Sequence, residues 1–216
     1  MNRHLTFAMI ALTTVLGMGA GIPLSQPVFG QETSDGGLSR DSVLRDPEIP
    51  ALGNPKGDLT IVAYFDYQCP FCKKVDPELM RVAREDGNVR IVFKDWPIFG
   101  AASIYAAKMA LASKYQNKYP EAHKALISAK SKLNEGDVRD LLEKAGIDVA
   151  RATADLQANQ SAIDAVLKRN NSQAEAFGFQ GTPAFIVGTF RVPGVLDAAG
   201  FKQAINDARK AAIQKQ

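Results

Sequence analysis

Cysteine is scarce in this chain, with two in 216 residues, at positions 69 and 72. A framework of several disulfides is therefore excluded. A bridge between these two would close a very small loop and remove little freedom from the unfolded chain, so stapling of distant segments is excluded as well. Histidine is equally scarce: beyond His4 there is only His123. A zinc site normally takes four ligands, and a full Cys/His set cannot be assembled within one chain, so no metal is expected. Charge of one sign is lacking too. Lys and Arg number 26 against 23 Asp and Glu, a formal +3, which argues for neither nucleic acid nor an anionic membrane surface as partner. There is no internal repeat and no low-complexity tract. Beyond residue 30 no apolar run is long enough to cross a membrane.

The exceptional apolar run stands at the start. Arg3 and His4 precede Leu5 to Leu16, which carries no charge. Gly and Pro then become frequent, and Val28-Phe29-Gly30 offers small residues at −3 and −1 of a cleavage site. These are marks of a signal peptide over 1–30, cleaved near Gly30. An uncleaved anchor is the alternative, and the shortness of the run and its Gly and Pro weigh against it. The expectation is an exported protein, working in the periplasm or another extracytoplasmic space. With 46% hydrophobic residues the remainder can bury a core.

Residues 31–58 form an N-terminal extension rich in Gly, Ser, Asp and Pro. Gln31 to Ser39 reads as a mobile tether, although 32–58 is long enough for an oligomer contact. Val43, Leu44, Ile49 and Leu52 can pack on the body, and Gly53 to Asp58 reads as a turn. Leu59 to Phe65 is apolar and β-branched, a buried strand. A helix near 70–85 follows, with Val75, Leu79, Val82 and Ala83 at helical spacing. Asp86-Gly87-Asn88 is a turn, and Val89 to Lys94 a second strand ended by Asp95-Trp96-Pro97. Strand, helix and strand in that order predict a βαβ unit with parallel strands. From Gly100 the β-branched runs disappear. Helices are expected at about 101–116, 120–131, 135–145, 149–157 and 160–177, with Gly146 closing the third. β character returns at Ala184 to Val187 and Phe190 to Val192, around a turn at Gly188, and a last helix occupies about 197–213. The fold class is α/β: a β-containing domain at 59–99 and 179–216, interrupted by an inserted helical domain at 100–178.

The chemistry converges on Cys69-Pro70-Phe71-Cys72, at the junction of strand and helix. N–H groups at a helix N-terminus stabilise a thiolate. Cys72 lies one turn on, close enough to close a disulfide with Cys69. Pro70 suits the first helical turn, where its missing N–H costs nothing. Lys73 and Lys74 add positive charge nearby. A passive disulfide and half of a metal site are the bland alternatives. Asp66 reads either as a proton acceptor for Cys72 or as a cap on the helix or turn. Thr182-Pro183 places a proline before a buried strand, where it cannot donate to the sheet. A cis bond fits there; taken alone the motif reads as an ordinary trans turn, and together with Cys-x-x-Cys it reads as cis. Trp96, Phe99, Phe177 and Phe179 can line a groove or fill the core. His123 reads as a surface residue and Lys94-Asp95 as a solvated strand end.

Phe65-Asp66-Tyr67-x-Cys69-Pro70-Phe71-Cys72 after an apolar strand, the helical insertion, Thr182-Pro183, and a closing hairpin and helix together resemble the DsbA-like branch of the thioredoxin superfamily, over about residues 40–213. The resemblance implies a thioredoxin fold with an inserted helical domain. It implies an exported thiol–disulfide oxidoreductase in which Cys69 is the exposed nucleophile and Cys72 the buried resolving thiol. Pro183 would be a cis-proline facing them, and Thr182 would offer its backbone to an extended substrate. No cofactor is needed, since the cysteine pair carries the electrons. The implied partners are cysteine-containing exported proteins and a membrane redox protein that resets the pair. Phe71 stands where a well-known oxidase of the family carries histidine, and threonine at 182 is more typical of thioredoxins and isomerases. A reductase or isomerase kept reduced is therefore one alternative. A carrier holding a soft ion such as Cu(I) on the two thiolates is the other.

Overall fold

The computed structural model describes residues 38–214. The expected signal peptide lies outside the described residues, as does most of the expected tether. Within them, helix α1 (Arg40–Leu44) and strand β1 (Ala51–Gly53) come first. Then follow β2 (Leu59–Phe65), α2 (Pro70–Asp86) and β3 (Val89–Asp95). The helices α3 (Ala101–Ala112), α4 (Tyr119–Ile127), α5 (Glu135–Lys144), α6 (Val149–Ala158) and α7 (Gln160–Ala176) form one uninterrupted run. The chain closes with β4 (Ala184–Val187), β5 (Phe190–Pro193) and α8 (Ala198–Ile213). A single sheet has the order β1-β3-β2-β4-β5. β2 and β3 are parallel, joined by α2 as the βαβ pattern predicts. The other pairings are antiparallel.

Every residue of β2 is buried, which is why it reads as a continuous apolar run rather than an alternating one. Alternation still sorts its side chains between the two faces. Ala63 and Phe65 line a cavity with Val75 and Leu79 of α2. Tyr64 points the other way, its hydroxyl donating to Gln173 of α7 at 3.1 Å and its ring against Trp96, Phe177 and Phe179. Of the four aromatic residues offered as groove or core, Trp96, Phe177 and Phe179 are core, and Phe99 is half-exposed. Arg209 fastens α8 to the sheet end by bidentate pairs with Asp58 and Asp86.

Three expectations are corrected. Ser39 is not part of a loose tether: its hydroxyl caps α1 by accepting from the Ser42 amide at 3.1 Å. α1 and β1 were invisible to periodicity because five and three residues are too few to show one. Lys94 and Asp95 are not a solvated strand end. They are 0% and 1% exposed, because the α1–β1 segment and helices α4 and α7 cover this end of β3. Lys94 donates to Asp46 and to the Ser42 carbonyl, both at 3.0 Å, and Tyr119 of α4 donates to Asp95 at 3.2 Å. His123 is not on the surface either. It stacks on Phe93 with ring centroids 3.9 Å apart and is buried.

Candidate active site

Cys69 is the N-cap residue of α2, with Pro70 in the first turn. Its sulfur accepts a hydrogen bond from the Cys72 amide at 3.3 Å. As a thiol it donates to the Thr182 carbonyl at 3.2 Å. The Thr182–Pro183 peptide bond is cis, and Pro183 lines the same cavity as Cys72. The structure thus brings Cys69, Cys72, Thr182 and Pro183 together from two stretches separated by the entire helical run. Pro70 and Phe71 are exposed at the rim, Phe71 by 60%. Cys69 itself is buried at 1% exposure, which corrects the exposed nucleophile that the resemblance implied. The loop carrying Thr182 lies against its sulfur, and the asymmetry of the pair rests on hydrogen bonds to Cys69 and on the deeper burial of Cys72.

Those bonds favour charge on one sulfur. The Cys72 thiol and the amides of Cys72 and Phe71 favour the Cys69 thiolate, with Thr182 beside it, outweighing burial and holding its thiol down to about 6. The Thr182 hydroxyl is buried and makes no hydrogen bond among the described residues; the contact of Thr182 with Cys69 is through its carbonyl. Burial, and the charge that Cys69 takes on, push the Cys72 thiol up. The pair therefore gives up its first proton from Cys69. Lys73 lies close enough for the Cys69 and Asp66 charges to act on it, although burial lowers its own pKa. Its ammonium straps the chain after α4 by donating to the carbonyls of Ala129 and Ser131 at 2.8 and 3.2 Å. In the reduced protein a brief iodoacetamide pulse should label Cys69 alone, its rate titrating near pH 6, against about 8.5 for a free cysteine. Mass mapping across a pH series checks this; labelling at Cys72, or a midpoint near the free value, would refute the assignment.

Asp66 is a cap, and more. One carboxylate oxygen accepts from the Gln68 amide and the Ser103 hydroxyl, both at 2.7 Å. The other accepts from the amides of Ile98 and Phe99 at 2.7 and 3.0 Å. Both oxygens are occupied holding the Ile98–Phe99 loop and α3 to the segment before Cys69. The role of proton acceptor for Cys72 therefore has no geometric support.

A buried polar chain beside the pair escaped the sequence reading. His123 accepts from or donates to Tyr67 at 3.4 Å through Nδ1, and its Nε2 lies 3.0 Å from Asp76. Tyr67 also neighbours Tyr119 and Asp95. Burial raises Asp95 to about 8, so its carboxyl is largely protonated at neutral pH. A signal for His123 existed: Tyr119, Ala122, His123, Leu126 and Ile127 form the buried stripe of α4, with the i, i+3, i+4, i+7 spacing of a core-facing helix.

Residues 60–206 match the model of the family described as DSBA-like thioredoxin domain. A thioredoxin-like oxidoreductase from Silicibacter pomeroyi DSS-3 is similar in structure, with TM-score 0.76 and 38% identity over 80% of this chain and 98% of that one. The thiol-disulfide exchange protein alpha-DsbA2 from Wolbachia pipientis has TM-score 0.72 and 27% identity, over 77% and 90%. Among curated proteins, Na(+)/H(+) antiporter NhaA 1 of Mycobacterium sp. (strain KMS) is 27% identical over 168 residues. That match takes in 76% of this chain but only 27% of the antiporter, so the chain spans about a quarter of that relative's length. The coverage by the family model and the near-complete overlap with the Silicibacter oxidoreductase agree with the paired thiols at the start of α2: the chain belongs to the DSBA-like thioredoxin domain family.

Proposed function

We propose that this enzyme exchanges disulfides with cysteines of other exported proteins, in the periplasm or an equivalent extracytoplasmic space. The observation that carries this reading is Cys69 at the N-cap of α2, accepting from the Cys72 amide and donating to the carbonyl of Thr182 before a cis proline, with Cys72 buried behind it; these contacts hold the Cys69 thiol low. In the oxidised enzyme a substrate thiolate attacks the Cys69 sulfur. The Cys69–Cys72 bond breaks, Cys72 leaves with the electron pair and takes a proton, and a mixed disulfide remains on Cys69. A second substrate thiolate then attacks the substrate's own sulfur, forming the substrate disulfide and expelling the Cys69 thiolate. A low-pKa thiol is the better leaving group, and a stabilised thiolate stabilises the reduced enzyme. Both favour donating disulfides, so we read the net direction as oxidation. A membrane redox protein would then withdraw the two electrons and restore the disulfide. In the reverse, reductase or isomerase, direction Cys69 attacks a substrate disulfide and Cys72 resolves the adduct. The electrons reside on the two sulfurs throughout, and the reading requires no cofactor or metal.

The surroundings suit an unfolded polypeptide. Phe71, Ile98, Phe99 and Val195 are exposed apolar side chains. The amides of Ile98 and Phe99 are pinned to Asp66, three residues before Cys69, and the Gly194 amide donates to the Pro183 carbonyl at 3.1 Å. An extended segment of substrate can align with the Thr182 backbone, strand against strand.

The test is trapping. Cys72→Ala should accumulate mixed disulfides with exported proteins through Cys69, visible as reducible adducts on gels, because attack needs only the first thiol. Cys69→Ala should accumulate few. Equal trapping by both variants would refute the assigned roles. The oxidation state of the pair in cells decides direction: a pair found mostly reduced favours the reductase or isomerase. Copper bound by the purified protein together with no disulfide exchange would favour the carrier.

A further inference from the structure

Three segments border the cysteine pair. The Thr182 carbonyl lies against the Cys69 sulfur at 3.2 Å, and the amides of Ile98 and Phe99 are held to Asp66. The third segment, Ala129 to Leu133, follows α4 in the helical run and takes no part in the exchange steps. It is nonetheless fastened to the residues on either side of the pair. Lys73, next after Cys72, donates from its ammonium to the carbonyls of Ala129 and Ser131 at 2.8 and 3.2 Å. Gln68, next before Cys69, accepts from the Leu133 amide at 3.0 Å through its side-chain oxygen. Ala129 and Leu133 are buried. Between the anchored positions stand Lys130 and Lys132, and both are exposed.

Little nearby cancels their charge. From Ala122 to Asn134 the chain has lysine at 124, 130 and 132 and no Asp or Glu. Lys74 on α2 and Lys124 on α4 are exposed as well. Among the described residues the lysines that form ion pairs are Lys94, Lys108, Lys118 and Lys202, so this group stays uncompensated. The surrounding carboxylates have other partners: Asp76 has His123, Glu78 has Arg81, Glu121 has Lys118, and Asp137 has the Asn134 amide. Glu135, exposed at the start of α5, is the exception. The whole chain carries only +3, so the cationic border is a local feature of this face. A loose loop would present such charge at no fixed distance from the sulfurs. This one is tied at both ends to the residues that flank them.

We propose that the Ala129–Leu133 segment is a specificity element, with Lys130 and Lys132 recognising acidic residues beside the reacting cysteine of a polypeptide substrate. The proposal rests on the exchange reading above and names the substrates that react fastest. Complementary charge at the rim of an interface acts mainly on the rate of encounter. It acts over about 10 Å at 0.1 M salt, so acidic residues close to the substrate cysteine are the ones that count. The apolar Phe71, Ile98 and Phe99 are exposed at the same site and contact the rest of the segment. No covalent step is added to the exchange.

The experiment mixes the oxidised enzyme with reduced dithiol peptides that share one core and are flanked by glutamate, serine or lysine. Rates are measured for the wild type and for the double variant Lys130→Glu, Lys132→Glu. The ratio of the two enzymes on one peptide cancels the effect of the flanks on the peptide's own thiols. At about 0.01 M salt, where charges act over about 30 Å, the wild type should be faster on the order of 10-fold with the glutamate peptide. The two enzymes should agree within about twofold on the serine peptide, and the variant should be the faster on the lysine peptide. At about 1 M salt the ratios should converge. Equal ratios for the glutamate and serine peptides would overturn the proposal. So would a wild-type rate that falls with salt no more steeply for the glutamate peptide than for the serine one, a measurement that stands even if the variant fails to fold. Sedimentation with phosphatidylglycerol vesicles by the wild type and not by the variant, with equal peptide ratios, would assign the lysines to a lipid surface instead. Failure of the exchange reading looks different: no peptide, whatever its flanks, would be oxidised.

Discussion

Replacing Asp46 with alanine should cost the fold about 3–5 kcal/mol, because it strands a buried ammonium. Lys94 is 0% exposed and Asp46 2%, and their contact is 3.0 Å. Arg169 joins the same carboxylate through both its Nε and an Nη, but it also reaches Glu48, so it retains a partner when Asp46 is removed. Lys94 would keep only the Ser42 carbonyl. Against a typical total of about 5–15 kcal/mol, such a loss is severe. The pH dependence distinguishes this cause from lost packing. Burial depresses Lys94 to about 8, from 10.5, with Asp46 opposing it. Between those values the unfolded chain binds the extra proton, so this group makes stability rise with pH across about 8 to 10.5. Without Asp46 the folded pKa falls further, the rise begins lower, and the gap between variant and wild type should narrow as the solution becomes alkaline. At the acid end the sign is the same. Asp46 is lowered overall, its desolvation outweighed by Lys94 and Arg169, so its contribution is lost as pH falls through its folded pKa, below 3.8. Urea unfolding of both proteins from pH 6 to 10 is the check; a gap under about 1 kcal/mol, or one that widens with pH, would contradict this account.

Asp66→Asn should be the other severe change, at about 3 kcal/mol or more. The shape is kept, but the amide nitrogen turns toward donors that need an acceptor. If it faces Ile98 and Phe99, two amides lose their partner. If it faces Gln68 and Ser103, that pair loses it. Each buried unsatisfied group costs about 1–3 kcal/mol. Ser103→Ala removes one partner without stranding a donor and should cost about 1 kcal/mol. The Ile98–Phe99 loop borders the site, so Asp66→Asn should also slow exchange with a reduced protein more than with a small disulfide. Unfolding curves and paired rate measurements test both parts. Equal costs for Asp66→Asn and Ser103→Ala would show that the carboxylate is not the staple described.

Much of the active site was legible because its determinants are local. A helix whose N-cap is Cys69 and whose first turn holds Pro70 and Cys72 needs only the residues themselves. The order of strands and helices followed from periodicity, and the parallel pairing of β2 with β3 from the helix between them. The cis bond at Thr182–Pro183 was anticipated only when the proline at a strand entrance was taken together with the distant Cys-x-x-Cys and the family resemblance; alone it reads as a trans turn. The limits of local reading appear wherever a polar side chain finds its partner far along the chain. Asp66 reads as a cap because Gln68 is two residues away, but Ile98, Phe99 and Ser103 lie 32 to 37 residues on. Lys94 looks like a strand's wet end until Asp46, 48 residues earlier, is folded against it.

His123 shows the division most clearly. Its place on the buried stripe of α4 was encoded in helical spacing, as was the placing of Asp76 one turn beyond Cys72. That the two should meet, with Tyr67 behind and a cavity at Cys72 in front, was encoded nowhere locally. The sequence by itself determined the chemistry: two thiols at a helix N-terminus and a proline to face them, since backbone sterics and hydrogen bonding act within a few residues. Only the tertiary structure decided which buried charges are paired. A buried charge is tolerable only against a particular partner, and packing alone brings that partner within 3 Å.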